Sequence, residues 1–131
     1  MKFLLDTSVL IDVLRRRNHR RELLARLVRE GHELSTSVLN VAELFAGMRP
    51  AEERETEAFL AALILHGLDA KSARLAGRLK SEWASKGRTL TLADAIIAAV
   101  ALDRGCTLMT DNRKDFPMAG LELFPIPPAR N

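Results

Sequence analysis

Three carboxylates stand where apolar sequence surrounds them. Asp6 follows the run Phe3, Leu4, Leu5; Glu43 lies within Val41, Ala42, Leu44 and Phe45; Asp94 lies within Leu92, Ala93, Ala95 and Ile96. Asp111 and Asp115 cluster just after a further apolar run, Cys106 to Met109. A carboxylate taken out of water is costly unless it is paired or holds a metal. Two of them about 4 Å apart repel by roughly 4 kcal/mol at an effective dielectric near 20, so several together demand a cation. Oxygen-only donors select Mg²⁺ or Mn²⁺ over zinc, and His19, His32 and His66 have no metal-ligand spacing. An ion held this way suits phosphodiester hydrolysis, because it lowers the pKa of bound water and stabilises the attacking and leaving oxygens.

Each acid also has a purely structural reading. Asp6, Thr7 or Ser8 can cap a following helix. Asp94 stands three residues after Thr91, the interval of a capping box, and Asn40 to Glu43 repeats it. A cap explains any one of them. It explains less well three acids at element ends, each amid apolar residues.

The elements that must position these acids follow from the apolar pattern. Phe3 to Leu5 reads as a strand buried on both faces, and a polar residue beyond its end sits at the usual site position of an open α/β sheet. Residues 8 to 16 read as a helix, Asn18 and His19 as a break, and 20 to 30 as a second helix with Leu23, Leu24, Leu27 and Val28 on one side. His32 to Thr36 reads as a strand, Ser37 as the cap of a helix running through Phe45. An acid-rich stretch, Ala51 to Glu57, leads into an apolar helix, Phe59 to Leu65, and Gly67, Leu68 and Asp69 are a short third strand or a turn. Lys71 to Ser85 is helical, with Trp83 on its core face. Thr91 to Arg104 is a helix, Cys106 to Met109 a buried strand, Thr110 to Phe116 a polar loop, and Leu121 to Phe124 a last edge strand before Pro125, Pro127 and Pro128. Strands alternating with helices predict an α/β domain with a mainly parallel sheet, and 131 residues suit one domain spanning 1–131.

The single cysteine, Cys106, excludes an intramolecular disulfide and fits a buried thiol in a reducing compartment. No apolar run reaches the roughly 20 residues of a membrane span, and Asp6 and Asp12 interrupt the segment a signal peptide would occupy. The expected location is cytoplasmic. The net charge of +3 is unevenly spread: up to Arg29, Lys2 and seven arginines (15, 16, 17, 20, 21, 26 and 29) face Asp6, Asp12 and Glu22. Such a cluster can neutralise phosphates, or be a solvated helix face.

Four stretches in order carry a resemblance. Leu4, Leu5, Asp6, Thr7, Ser8, Val9, Leu10, Ile11 resembles the opening of PIN-domain ribonucleases; Ser37 and Val38 through Ala42, Glu43, Leu44 and Gly47 resembles their second motif; Leu92 to Ala99 around Asp94 resembles the third. Thr110, Asp111, Asn112 with Asp115 and Phe116 resembles the fourth. Order, spacing and length are similar to VapC toxins of type II toxin–antitoxin modules. The resemblance implies a three-layer α/β/α domain with a mainly parallel five-stranded sheet of order 3-2-1-4-5, and a homodimer. It implies a Mg²⁺- or Mn²⁺-dependent endoribonuclease, acting on a tRNA or rRNA loop and inhibited by a VapB antitoxin. Asp6, Glu43 and Asp94 take the catalytic, metal-holding roles. Where many relatives carry an acid two residues after the threonine, this chain has Asn112, so Asn112 and Asp115 are joint candidates for the fourth position.

An acidic site repels RNA unless positive groups hold the phosphates, which gives Arg15, Arg16, Arg17 and Arg113 a role as RNA contacts. Two rival readings remain. A haloacid dehalogenase-like phosphatase also opens on a strand ending in Asp-Thr, but wants a second Asp where Ser8 stands. The other is a non-catalytic partner-binding or repressor subunit.

Overall fold

Strand β1, Lys2–Leu5, points Phe3 and Leu5 to one side of the sheet and Leu4 to the other, and all three side chains are buried. That two-sided burial makes β1 a central strand. In a computed structural model, which describes residues 1–127, β1 lies between β2, Glu33–Ser37, and β4, Thr107–Met109. Strand β3, Ile64–His66, pairs with β2. Among the described residues the sheet has four strands, all parallel, in the order β3-β2-β1-β4. The expected fifth strand is reduced to one parallel bridge between Leu108 and Leu123. Leu108 donates to the Glu122 carbonyl and accepts from the Phe124 amide. Pro125 and Pro127, lacking N–H donors, follow at once. Pro128 lies outside the described residues.

The side of the sheet carrying Phe3 and Leu5 packs on α1 (Thr7–Leu14), α2 (Arg20–Arg29), α3 (Val38–Gly47) and α4 (Glu53–Ala61), through Val9, Leu10, Val13, Leu24, Leu27, Leu44 and Leu60. The Leu4 side packs with Leu108 and Cys106 on α6 (Leu92–Asp103), through Ile97, Ala98, Val100 and Ala101. Helix α5 (Ala70–Ser85) covers α6, and Trp83 packs against this second core. The third strand falls earlier than Gly67 to Asp69, because α4 stops at Ala61 and Asp69 is used instead to cap α5, accepting from the Ser72 amide. Strand β2 is polar by composition, yet Ser35 and Thr36 are fully buried. Their hydroxyls donate to the Phe3 and Leu5 carbonyls at 2.8 and 2.7 Å, which removes the cost of burying them. Among the described residues, no helix is long and apolar enough to cross a membrane.

Candidate active site

With every strand parallel, the loops leaving the carboxyl ends of β1, β2 and β4 emerge at one edge. The ladder between β1 and β4 runs one residue past β1, with the Asp6 amide donating to Met109 at 2.9 Å, so Asp6 and Thr110 stand side by side. The Thr110 hydroxyl donates to Asp6 Oδ2 at 2.7 Å, and Asn40 Nδ2 donates to Oδ1 at 3.1 Å. Asp6 occupies the cap position of α1, but its side chain makes no cap hydrogen bond. It is a 5% exposed carboxylate aimed across the edge rather than along its own helix.

Helix α3 supplies the next two groups. Its true capping box joins Ser37 and Asn40, not Asn40 and Glu43, which leaves Glu43 free of a capping duty. Asn40, buried, divides its amide between Asp6 and the Thr7 hydroxyl (3.0 Å), while Ser37 donates to its Oδ1 at 2.6 Å. One turn on and on the same face, Glu43 accepts from the Thr7 hydroxyl at 2.7 Å. At the start of α6, Thr91 caps the helix by accepting from the Asp94 amide at 3.0 Å. Thr91 is thus the cap, without the reciprocal bond of the expected capping box, and the Asp94 carboxylate has no ion pair among the described residues.

These acids act on one another. Burial pushes the Asp6 carboxyl above its usual range, and repulsion from Glu43 and Asp94 adds to it, against the pull of the Thr110 hydroxyl and the Thr7 amide. Asp94 is raised by burial, with Asp115 and Glu43 repelling it and Thr91 lowering it. Asp6, Glu43, Asp94 and Asp115 therefore form one electrostatic cluster, and none of the four has an ion pair among the described residues. Among those residues no group of three or more His, Cys, Asp or Glu side chains stands ready-made for a metal ion. The donor set nonetheless fits a hard divalent cation: all oxygen, with an unbalanced negative charge that such an ion would offset.

The fourth-motif residues go to different places. Asn112 is exposed, and its amide, not its side chain, bonds Thr110 Oγ1 at 3.0 Å. Asp115 ends a 3₁₀ turn, Arg113–Asp115, within electrostatic reach of Asp94. Asp111 turns away and accepts from Arg20 at 2.8 Å. Of the arginines, Arg16 and Arg17 are exposed, Arg15 lies 3.8 Å from Glu52, and Arg113 donates to the Phe124 carbonyl at 2.8 Å. Arg20 and Arg21 leave the basic cluster: Arg20 is buried between Asp12 and Asp111, and Arg21 pairs with Glu55 at 2.7 Å.

Asn40 and Arg20 are the residues that sequence reasoning passed over. Arg20 carried a signal, since its spacing to Leu24 and Leu27 puts it on the buried face of α2. Asn40 carried none beyond its place in the second motif.

The chain belongs to the PIN domain family, which matches residues 3–119. Within that family its likeness is to VapC ribonucleases. Ribonuclease VapC19 of Mycobacterium tuberculosis is 36% identical over 115 residues, covering 88% of this chain and 92% of that protein. The fold is shared with VapBC2 from Rickettsia felis, solved bound to a DNA fragment from its promoter: TM-score 0.85, 24% identity, 95% of this chain and 98% of the other. DNA-bound VapBC from Salmonella typhimurium gives a TM-score of 0.79 at 27% identity, over 94% and 96% of the two chains.

Proposed function

We propose that this protein is a metal-dependent endoribonuclease, the toxin of a type II toxin–antitoxin pair, whose acidic edge cuts a tRNA or rRNA loop. One observation carries the reading: four carboxylates with no cationic partner among the described residues, two of them raised by burial and mutual repulsion, gathered where a PIN domain presents its strand ends. Asp6, Glu43 and Asp94 hold Mg²⁺, or Mn²⁺ in its place, with Asp115 better placed than Asn112 for the fourth position because Asp115 acts on Asp94 and Asn112 points to solvent. The bound ion supplies an activated water and stabilises charge on the phosphate.

The chain's own residues do the rest. Thr110 and Asn40 each donate to one oxygen of Asp6, which fixes the plane of its carboxylate. Thr7 fixes Glu43. Asp94, partly exposed, is open to solvent and orients a water and accepts its proton. Arg16 and Arg17 hold the RNA backbone at the rim. A VapB-type antitoxin, cytoplasmic location, a homodimer and one domain over the whole chain complete the reading; the first rests on the VapBC complexes that share the fold.

The test is cleavage of a total tRNA pool by purified protein in Mg²⁺, Mn²⁺ or EDTA, beside Asp94→Asn purified identically. Metal-dependent cutting that falls about a hundredfold or more in the variant is expected, as for loss of a group that stabilises transition-state charge. Equal activity in both would assign the cutting to a contaminant. Toxicity in cells that survives Asp94→Asn would favour the partner-binding reading.

A further inference from the structure

Arg20 is 1% exposed and is the largest fully buried side chain among the described residues. Its Nη2 donates to Asp111 Oδ1 and to the Pro127 carbonyl, each at 2.8 Å; Nη1 donates to the Asn18 carbonyl at 3.2 Å. Its Nε lies 3.9 Å from Asp12 Oδ2 and, buried, has no hydrogen-bond partner among the described residues. One guanidinium thus ties together α1, the turn after it, the segment leaving β4, and the C-terminal stretch.

A buried ion group of this kind is poor value as a source of stability, since apolar side chains of the same volume often do as well. What it does is fix which atoms face which. Asp111 adjoins Thr110, whose hydroxyl holds Asp6, so a carboxylate at position 111 has two places to go. Arg20 takes it away from the acidic cluster. The Asp111 amide is held on the same side by Ser8 Oγ at 3.3 Å. Five residues further on, Phe116 is buried in the second core. The segment carrying Asp115 is therefore pinned at both ends, by charge at Asp111 and by packing at Phe116.

We infer that Arg20 is a positioning residue for the candidate active site: its clamp on Asp111 sets the segment that leaves β4 so that Asp115, and not Asp111, completes the acidic cluster. The inference rests on the metal-site reading above, and its test separates the two. Arg20→Lys keeps the charge but loses the planar fork that reaches several acceptors at once. Arg20→Lys, Asp115→Asn and the double variant are compared by hydrogen exchange and by Mn²⁺ affinity, read from the paramagnetic resonance signal of free Mn²⁺.

In Arg20→Lys the amides of Asn112, Asp115 and Phe116 lose protection by about tenfold or more while those of β1 keep theirs, the mark of a local opening rather than global loss. Mn²⁺ affinity falls by about tenfold, the size expected when a group behind a ligand is lost. The double variant binds no more weakly than Asp115→Asn alone, because both changes remove the same ligand. Unchanged protection in the loop, or Mn²⁺ losses that multiply in the double variant, overturns the inference. A wild-type protein that binds no Mn²⁺ overturns the metal reading instead, and the exchange data then decide the clamp by themselves. Should Arg20→Lys fail to fold, Asp111→Asn, which loosens the same clamp from its other side, is measured with the same expectations.

Discussion

Two groups of carboxylates have opposite fates in this fold. Asp12 and Asp111 close on Arg20, with Asn18 Nδ2 also donating to Asp12 at 2.9 Å. Asp6 and Glu43 receive hydroxyl and amide donors, and Asp6, Glu43, Asp94 and Asp115 have no ion pair among the described residues. The first group is partly compensated from within, one guanidinium facing two carboxylates, and serves the architecture. The second keeps its charges unpaired, and burial first, with repulsion adding to it, holds the carboxyls of Asp6 and Asp94 above their usual range. In a folded chain, acids held together without a partner are a standing cost that a bound cation or a proton relieves, so the contrast separates the two groups better than burial does. Asp6 and Asp12 are buried to nearly the same degree.

The largest effect tests the compensated group. Arg20→Met preserves much of the volume and strands the buried Asp12 and the part-buried Asp111, which is expected to cost about 3 kcal/mol, the low end for a broken buried pair, read from the urea midpoint at pH 7. A loss below about 1 kcal/mol would show that water reaches Asp12 and Asp111 once the guanidinium is gone, and that their pairing matters little.

The same contrast explains what the sequence could and could not disclose. Asp6, Glu43 and Asp94 were legible because each interrupts an apolar run, and such interruptions need a reason that periodicity alone can flag. Strand β1 and helix α6 were legible for the same cause, as strongly apolar elements with clear ends. Strand β2 was legible only as a gap between helices, since Glu-Leu-Ser-Thr-Ser has no apolar run and is buried through hydroxyl bonds to the β1 backbone. The third strand was misplaced by a few residues because Ile64 and Leu65 continue the apolar character of α4, and no Gly or Pro marks the boundary. The fate of Asp111 was not legible at all. It depends on a contact with Arg20 ninety-one positions away, and a run of arginines reads as one surface until the fold buries one of them.

A smaller effect tests the uncompensated group. The folded-state carboxyls of Asp6 and Asp94 lie above the ordinary value of about 3.9. Between that value and the raised one the folded protein binds more protons than the unfolded chain, so stability falls as pH rises through the window. In EDTA, Asp6→Asn should therefore flatten the fall and raise the melting temperature at pH 7, by on the order of 2–4 °C if relief of repulsion is worth about 1 kcal/mol. A lower melting temperature would mean that the bonds from Thr110 and Asn40 outweigh the repulsion, and the comparison would lose its energetic basis.

The smallest effect concerns the basic rim, where the same division applies to the cations. Arg15 and Arg21 face Glu52 and Glu55, whereas Arg16 and Arg17 are exposed and have no ion pair among the described residues. An arginine already facing a carboxylate has less charge to offer a phosphate, so the two pairs should differ as RNA contacts. Arg16→Gln with Arg17→Gln is expected to lower the slope of log affinity for a tRNA pool against log salt by about 1 to 2, since each lost phosphate contact removes a little under one released counterion. Arg15→Gln with Arg21→Gln should change it by less than half as much. Equal slopes in the two double variants would mean that RNA displaces Glu52 and Glu55 as readily as it meets open arginines, and pairing inside the folded chain would then not predict which charges the substrate uses.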